Sequence, residues 1–294
     1  MSDGWVQELS RAPLAALRLR LQTAVRTMVV GPQAAASPLR EGSLDDGFFD
    51  NDSVTWRIHT DASMLIGGIR ALLLQTLHPS AMAGIAEHSA YRTDPTGRLH
   101  RTAAYVGTTT FGTHDEVRSA VAMVKRVHQK VVGTTPTGEA YSANDPHLLG
   151  WVHHTLVESF LVSYRRFGGD RLSASEADRY VAEQAKLADL FGTTPPARSV
   201  AELDRYMAAI RHELGAGTQA RDAVRFLLFP PLPVASLAPF GVLASAAVGL
   251  MPRWARRELR LPRLPVTESL LVRPTAKALT QTLGWAMSAP PPDR

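Results

Sequence analysis

Three times along this chain a hydroxyl residue stands three positions ahead of a glutamate at the head of an apolar-periodic run: Thr113 with Glu116, Ser173 with Glu176, and Ser199 with Glu202. In each pair the hydroxyl can accept from an orphan amide of the first helical turn while the carboxylate reaches back to the cap, so each pair marks a helix start. Asp61 heads a fourth run, ASMLIGGIRALLLQTLH, which Pro79 then stops or kinks. Further helices are expected near 12–29, 98–111, 146–166, 218–228 and 266–284, with a buried one around 237–250. Strand-like alternation is scarce, and the valines of 117–132 keep helical spacing. Segments 37–53 and 133–146 read as loops from their Gly, Asp, Asn and Pro content. The expected fold class is all-α, in one domain spanning residues 1–294.

With 45% hydrophobic and 20% charged residues, the chain has the make-up of a folded protein with a sizeable core. It contains no cysteine, which excludes disulfides, thiolate nucleophiles, cysteine-based zinc or iron–sulfur sites and thiolate-ligated haem. A reducing cytoplasm suits such a chain. Its first 27 residues interrupt their apolar positions with arginine and so lack a signal-peptide core. The formal charge of +5 invites acidic partners, yet no nucleic-acid module is recognisable, and no nucleic-acid partner is expected. Residues 226–252 carry no formal charge, but Pro230, Pro231, Pro233, Pro239 and Pro252 interrupt them, which argues against a membrane span. The following stretch, RWARRELRLPR at 253–263, holds five arginines and Trp254; it reads as a solvated basic face or as a peripheral contact with an anionic membrane.

On a helix, Val117, Val121, Val124, His128 and Val131 share one stripe, so His128 occupies a position its neighbours reserve for apolar side chains. A buried imidazole needs partners for its ring nitrogens; a metal ion is one, and a carbonyl or hydroxyl across the core is another. On spacing alone the hydrogen-bonded core histidine is the simpler reading. Upstream, Arg98, Arg101, Thr102, Tyr105 and Thr109 also fall on one stripe. It is either a solvent face or, if the helix is enclosed on both sides, a set of inward cations that would need anions. Further on, His147, Trp151, His154, Glu158 and Leu161 align, with Thr155 on the adjacent stripe. His154 and Glu158 lie one turn apart, a spacing that suits a metal or an ordinary hydrogen bond. Glu-x-x-His and His-Glu-x-x-His are absent, which disfavours a di-iron carboxylate bundle and a zinc hydrolase. Gly-x-Ser-x-Gly, the Walker loop and a dinucleotide-binding glycine motif after a strand are also missing. Gly67 and Gly68, inside an apolar helix, point to close helix packing.

The segments DSVTWRIHTDASMLIGGIRALLLQTLHPSAMAGIAEHS, GRLHRTAAYV, VKRVHQKVVG and DPHLLGWVHHT, in that order, resemble the superfamily of rubber oxygenases (latex-clearing proteins) and mycophenolate-pathway oxygenases over residues 45–260. The resemblance implies a globin-like helical bundle around a haem b pocket, with dioxygen and an apolar or aromatic small organic molecule as reactants. It makes His128 the proximal iron ligand and sets Arg98 and Thr102 on the family's Arg-x-x-Lys-Thr motif. Arg98, Arg101 and Thr102 become the expected catalytic residues, while Arg98, Thr155, His154 and His78 are expected beside the cofactor. Arg101 replaces the family's lysine; a guanidinium stays protonated and has no lone pair for iron. Met82 stands where the family has a glutamate proposed as base, with Glu87 and His78 nearby. A non-catalytic haem carrier or gas sensor and a metal-free membrane-peripheral protein are the alternatives.

Overall fold

The helices begin where the caps place them. Thr113 and Ser173 each accept from the amide three residues on, and Glu116 and Glu176 reach back to complete both boxes. Ser199 caps its helix as well, but Glu202 turns to the amide of Arg198 at 2.7 Å instead of closing the box. The structure is a computed structural model that describes residues 46–287 and, ahead of them, residues 18, 19, 22, 23 and 27. Most of the helix expected near 12–29 and part of the loop expected at 37–53 lie outside the described residues.

In chain order the described elements are α1 (Val54–His59), α2 (Met64–Gln75), α3 (Pro79–His88), α4 (Pro95–Phe111) and α5 (His114–His128), then β1 (Val132–Thr134) and β2 (Ala140–Ser142). They continue with α6 (Pro146–Phe167), α7 (Ala174–Phe191), α8 (Val200–Ala209), α9 (Thr218–Leu228), α10 (Val234–Leu250) and α11 (Arg253–Glu258). A 3-10 turn, Ile210–Glu213, extends α8. The last described helix starts at Pro265–Thr267, passes through a π-helical turn at Glu268–Val272, and runs on as α12 (Arg273–Met287). The all-α class holds, with one small departure: residues 133–146, expected to be loop, carry an antiparallel hairpin that pairs Val132 with Ser142 and Thr134 with Ala140. Strands of three residues, one of them with a glycine at its centre, are too short to show the two-residue alternation that betrays a strand.

The run begun near Asp61 stops ahead of Pro79 as expected: α2 ends at Gln75, His78 is extended, and Pro79 opens α3 at the first helical position, where its missing N–H is no loss. The helix α2 starts one turn after Asp61, whose carboxylate accepts from the amides of Ser63 and Gly169. The helix expected to be buried around 237–250 is buried only in its second half: Leu243, Ala244, Ala246 and Ala247 face inward, whereas Val234 and Leu237 are exposed.

The core is organised by α2 against α6. Gly67 permits the crossing, because a Cβ there would sit 2.7 Å from Phe160 Cδ1 and 3.1 Å from Ser159 O. Across this seam Arg70, 2% exposed, forks onto Glu158 through both terminal nitrogens, bonds Ser159 Oγ at 2.6 Å and donates from Nε to Leu250 O at 3.1 Å. Glu158 is thus committed to Arg70, not to His154 one turn earlier. One apolar cluster on the α2–α3–α6 side includes Leu74, Leu77, Met82 and Trp151; another unites Ile58 of α1 with Phe160 of α6 and Tyr180 of α7.

Candidate functional site

His128 is the last residue of α5, where Val117 and Val121 are buried but Val124 and His128 are only half-buried and Val131 lies beyond the helix. The inward stripe therefore weakens towards its C-terminal end. The ring is nonetheless distinctive: its Nδ1 is buried and has no hydrogen-bond partner among the described residues. Burial pushes the imidazole below its ordinary pKa, partly offset by the backbone of Ala143. A neutral imidazole with an unengaged nitrogen is what a metal-ligating histidine requires, so this residue fits the proximal-ligand role implied for it.

The helix α4 is not enclosed on both faces. Arg101 is 65% exposed and pairs with Asp94 at 3.3 Å, and Thr102, also exposed, donates to Arg98 O at 3.0 Å. Arg98 is different: half-buried, it donates to Ser89 Oγ at 2.8 Å, and burial lowers its pKa. Tyr105, half-buried on the same helix, has its phenol pushed upward by burial. His100 Nε2, which the sequence reading passed over, is buried without a hydrogen-bond partner among the described residues.

On α6 two expected cofactor residues are occupied with the fold itself. His154, 1% exposed, accepts the Ala197 amide at Nε2 (3.0 Å), so its Nδ1 carries the proton and donates to Gly150 O at 2.6 Å. Its ring stacks on Tyr206 with centroids 3.9 Å apart. Thr155, fully buried, donates to Trp151 O. Neither offers a free polar atom to a cofactor, because a helix packed this tightly turns its polar side chains back on its own carbonyls.

His78 is the converse case. It precedes α3, is 7% exposed, and neither ring nitrogen has a hydrogen-bond partner among the described residues. Glu213, from the 3-10 turn, lies 3.7 Å away and accepts from His147 Nε2 at 2.7 Å. The sequence offered no spacing that links these three. Met82, at the family's glutamate position, is buried core, while the nearby Glu87 is exposed and takes the Tyr141 hydroxyl at 2.5 Å, which helps push that phenol up to about 12. Two clefts open near α1 and α7, the first about 250 Å³ and lined by Ser53, Arg179 and Glu183 among others; none of the expected site residues lines either.

The basic segment 253–263 is not a uniform surface. Arg256 turns inward to Glu268 at 2.6 Å and to Gly249 O at 2.7 Å, and Trp254 lies under the Arg211 guanidinium at 3.8 Å. No helix among the described residues is long and apolar enough to cross a membrane.

A family model described as "ER-bound oxygenase mpaB/B'/Rubber oxygenase, catalytic domain" matches residues 56–285, from α1 through most of α12. No curated protein and no solved structure matches the chain.

Proposed function

Because the chain belongs to the oxygenase family of mpaB and rubber-oxygenase catalytic domains, we propose that it is a haem b-dependent oxygenase acting on an apolar or aromatic small organic molecule, with His128 as the proximal iron ligand. The observation that carries this reading is the buried, unengaged Nδ1 of His128 within the matched span. Haem, when bound, supplies the iron at which dioxygen is activated.

The chain's own residues hold, orient and exclude water. His128 offers iron a neutral imidazole nitrogen, and the burial that disfavours imidazolium keeps that lone pair available. Arg98, steadied by Ser89 Oγ, is a half-buried fixed cation suited to a propionate carboxylate. Arg101 and Thr102, proposed with Arg98 as the catalytic residues, lie on the exposed side of α4. Arg101 has no lone pair with which to close the distal iron position. His154 and Thr155 hold α6 in place and reach a cofactor only through the helix they fix.

A peripheral membrane contact belongs to the same proposal, with the protein otherwise in the cytoplasm. Exposed Arg253, Arg257, Arg260 and Arg263 lead directly into exposed Leu264, Val266, Leu270 and Leu271, the pairing of basic and apolar surface that suits an anionic interface.

The test is the absorption spectrum of protein expressed with supplementary haem, beside that of His128→Ala. A Soret band that the variant loses is expected; no band in the parent overturns the haem assignment, and an unchanged band in the variant overturns His128 as the iron ligand. Oxygen uptake with candidate apolar substrates then separates an oxygenase from a haem carrier.

A further inference from the structure

The start of α3, the first turn of α6 and the 3-10 turn after α8 meet at a corner that gathers two imidazoles and a carboxylate. His78, His147 and Glu213 each present a ligand atom, and these atoms lie within 4.8 Å of one another. Glu213 Oε2 accepts from His147 Nε2 at 2.7 Å and stands 3.7 Å from His78 Nε2. Donor atoms held about 2.0–2.2 Å from one ion are roughly 3–3.5 Å apart in a tetrahedral shell. The two Glu213 separations bracket that spacing, and the third, between His78 and His147, is within 4.8 Å, so seating an ion draws the two imidazoles together around the carboxylate.

The second observation is His78 itself. A buried imidazole with both nitrogens unengaged among the described residues carries an uncompensated desolvation cost, which metal ligation removes. Trp151, whose ring centroid is 6.3 Å away, does not relieve it: its Nε1 is likewise buried and unpartnered among the described residues.

We propose that His78, His147 and Glu213 bind one divalent transition-metal ion of the zinc or ferrous class, through a donor set that does not include the His128 imidazole. Two imidazoles and one carboxylate favour such an ion over Mg²⁺ or Ca²⁺, which prefer all-oxygen shells. His147 and Glu213 are 45% and 31% exposed, so the corner opens to water on that side, which gives an entry path and leaves a coordination position for solvent. The frame is set by the main chain: Gly215 N donates to Leu77 O at 2.8 Å, and Asp145 caps α6 by accepting from the His147 amide at 2.8 Å. Asp145 and Glu139 add negative charge that is felt at His78 and draws cations inward.

The experiment is calorimetric titration of tag-free, full-length protein, stripped with chelator, with ZnCl₂. One ion per chain at micromolar affinity or tighter is expected. Glu213→Gln and His147→Gln, at partly exposed positions that do not threaten folding, each weaken it at least tenfold. His212→Gln, at a neighbouring imidazole that is 80% exposed, leaves it unchanged. No binding, an affinity unmoved by both ligand variants, or an equal loss in His212→Gln overturns the proposal. The Soret band recorded on the same samples reads the haem assignment independently, so the two can fail separately.

Discussion

The beginning and the middle of α6 treat buried polar atoms in opposite ways. In its middle, His154 spends both nitrogens on backbone groups, Thr155 bonds Trp151 O, and Glu158 and Ser159 together receive the Arg70 fork. At its beginning, Trp151 Nε1 and the facing His78 and Tyr206 hydroxyl have no hydrogen-bond partner among the described residues. Both regions sit against the same helix, and His78 and His154 are both buried. The satisfied groups specify one packing of α2 on α6, whereas His78, unsatisfied, belongs to the corner where an ion is proposed.

The strongest way to break this contrast is Arg70→Met. Stranding the Glu158 carboxylate against the seam should destabilise the fold by about 3–5 kcal/mol, read from the urea midpoint, and Arg70→Met with Glu158→Met together should recover much of that loss. A cost under about 1 kcal/mol for the single variant would mean that the fork is ornamental. Next comes a paired comparison of two histidines. His154→Leu leaves the Ala197 amide unpaired, while Gly150 O keeps its helical bond from the residue 154 amide, and should cost about 1–3 kcal/mol. His78→Leu, in metal-free protein, removes a ring that bonds nothing and should be neutral or stabilising. Equal losses at the two positions would erase the distinction between the two regions.

His59 supplies a pH test of a satisfied imidazole. It is tied to Thr110 Oγ1 at 2.7 Å and Tyr180 OH at 3.1 Å, and burial lowers its pKa from 6.5 to about 3. Above pH 6.5 the ring is neutral in both folded and unfolded chains, so its contribution is complete; below that the unfolded chain takes up a proton that the native state refuses. Stability should therefore fall as pH drops from about 6.5 towards about 3, and His59→Gln should flatten that part of the profile. The smallest effect is at the helix caps. Ser173→Ala, which opens a reciprocal box, should cost about 1 kcal/mol of thermal stability, and Ser199→Ala less, because Glu202 does not close its box.

The parts legible in the sequence are those written in local chemistry. Cap hydroxyls, proline positions and apolar periodicity located most helices, and α9 runs from Thr218 to Leu228 as its pattern indicates. Gly67 announced a close helix crossing, and Phe160 fills the space a side chain would need. What escaped depends on partners far away in the chain. Nothing near Glu158 names Arg70, 88 residues earlier, and nothing near His147 names Glu213, 66 residues later. The enclosed α4 suggested by its chemistry did not materialise, since Arg101 and Thr102 face outward with local partners. For His128 the stripe gave the right helix but overstated its depth, because α5 stops at that residue and the following chain turns into the hairpin.

The link from Gly215 N to Leu77 O involves no side chain. The corner around His78 is therefore a mounting whose donors can be exchanged while the mounting stays put. A lineage, or a protein engineer, can swap imidazole for thiolate or carboxylate there and change which ion is preferred without redrawing the path of the chain.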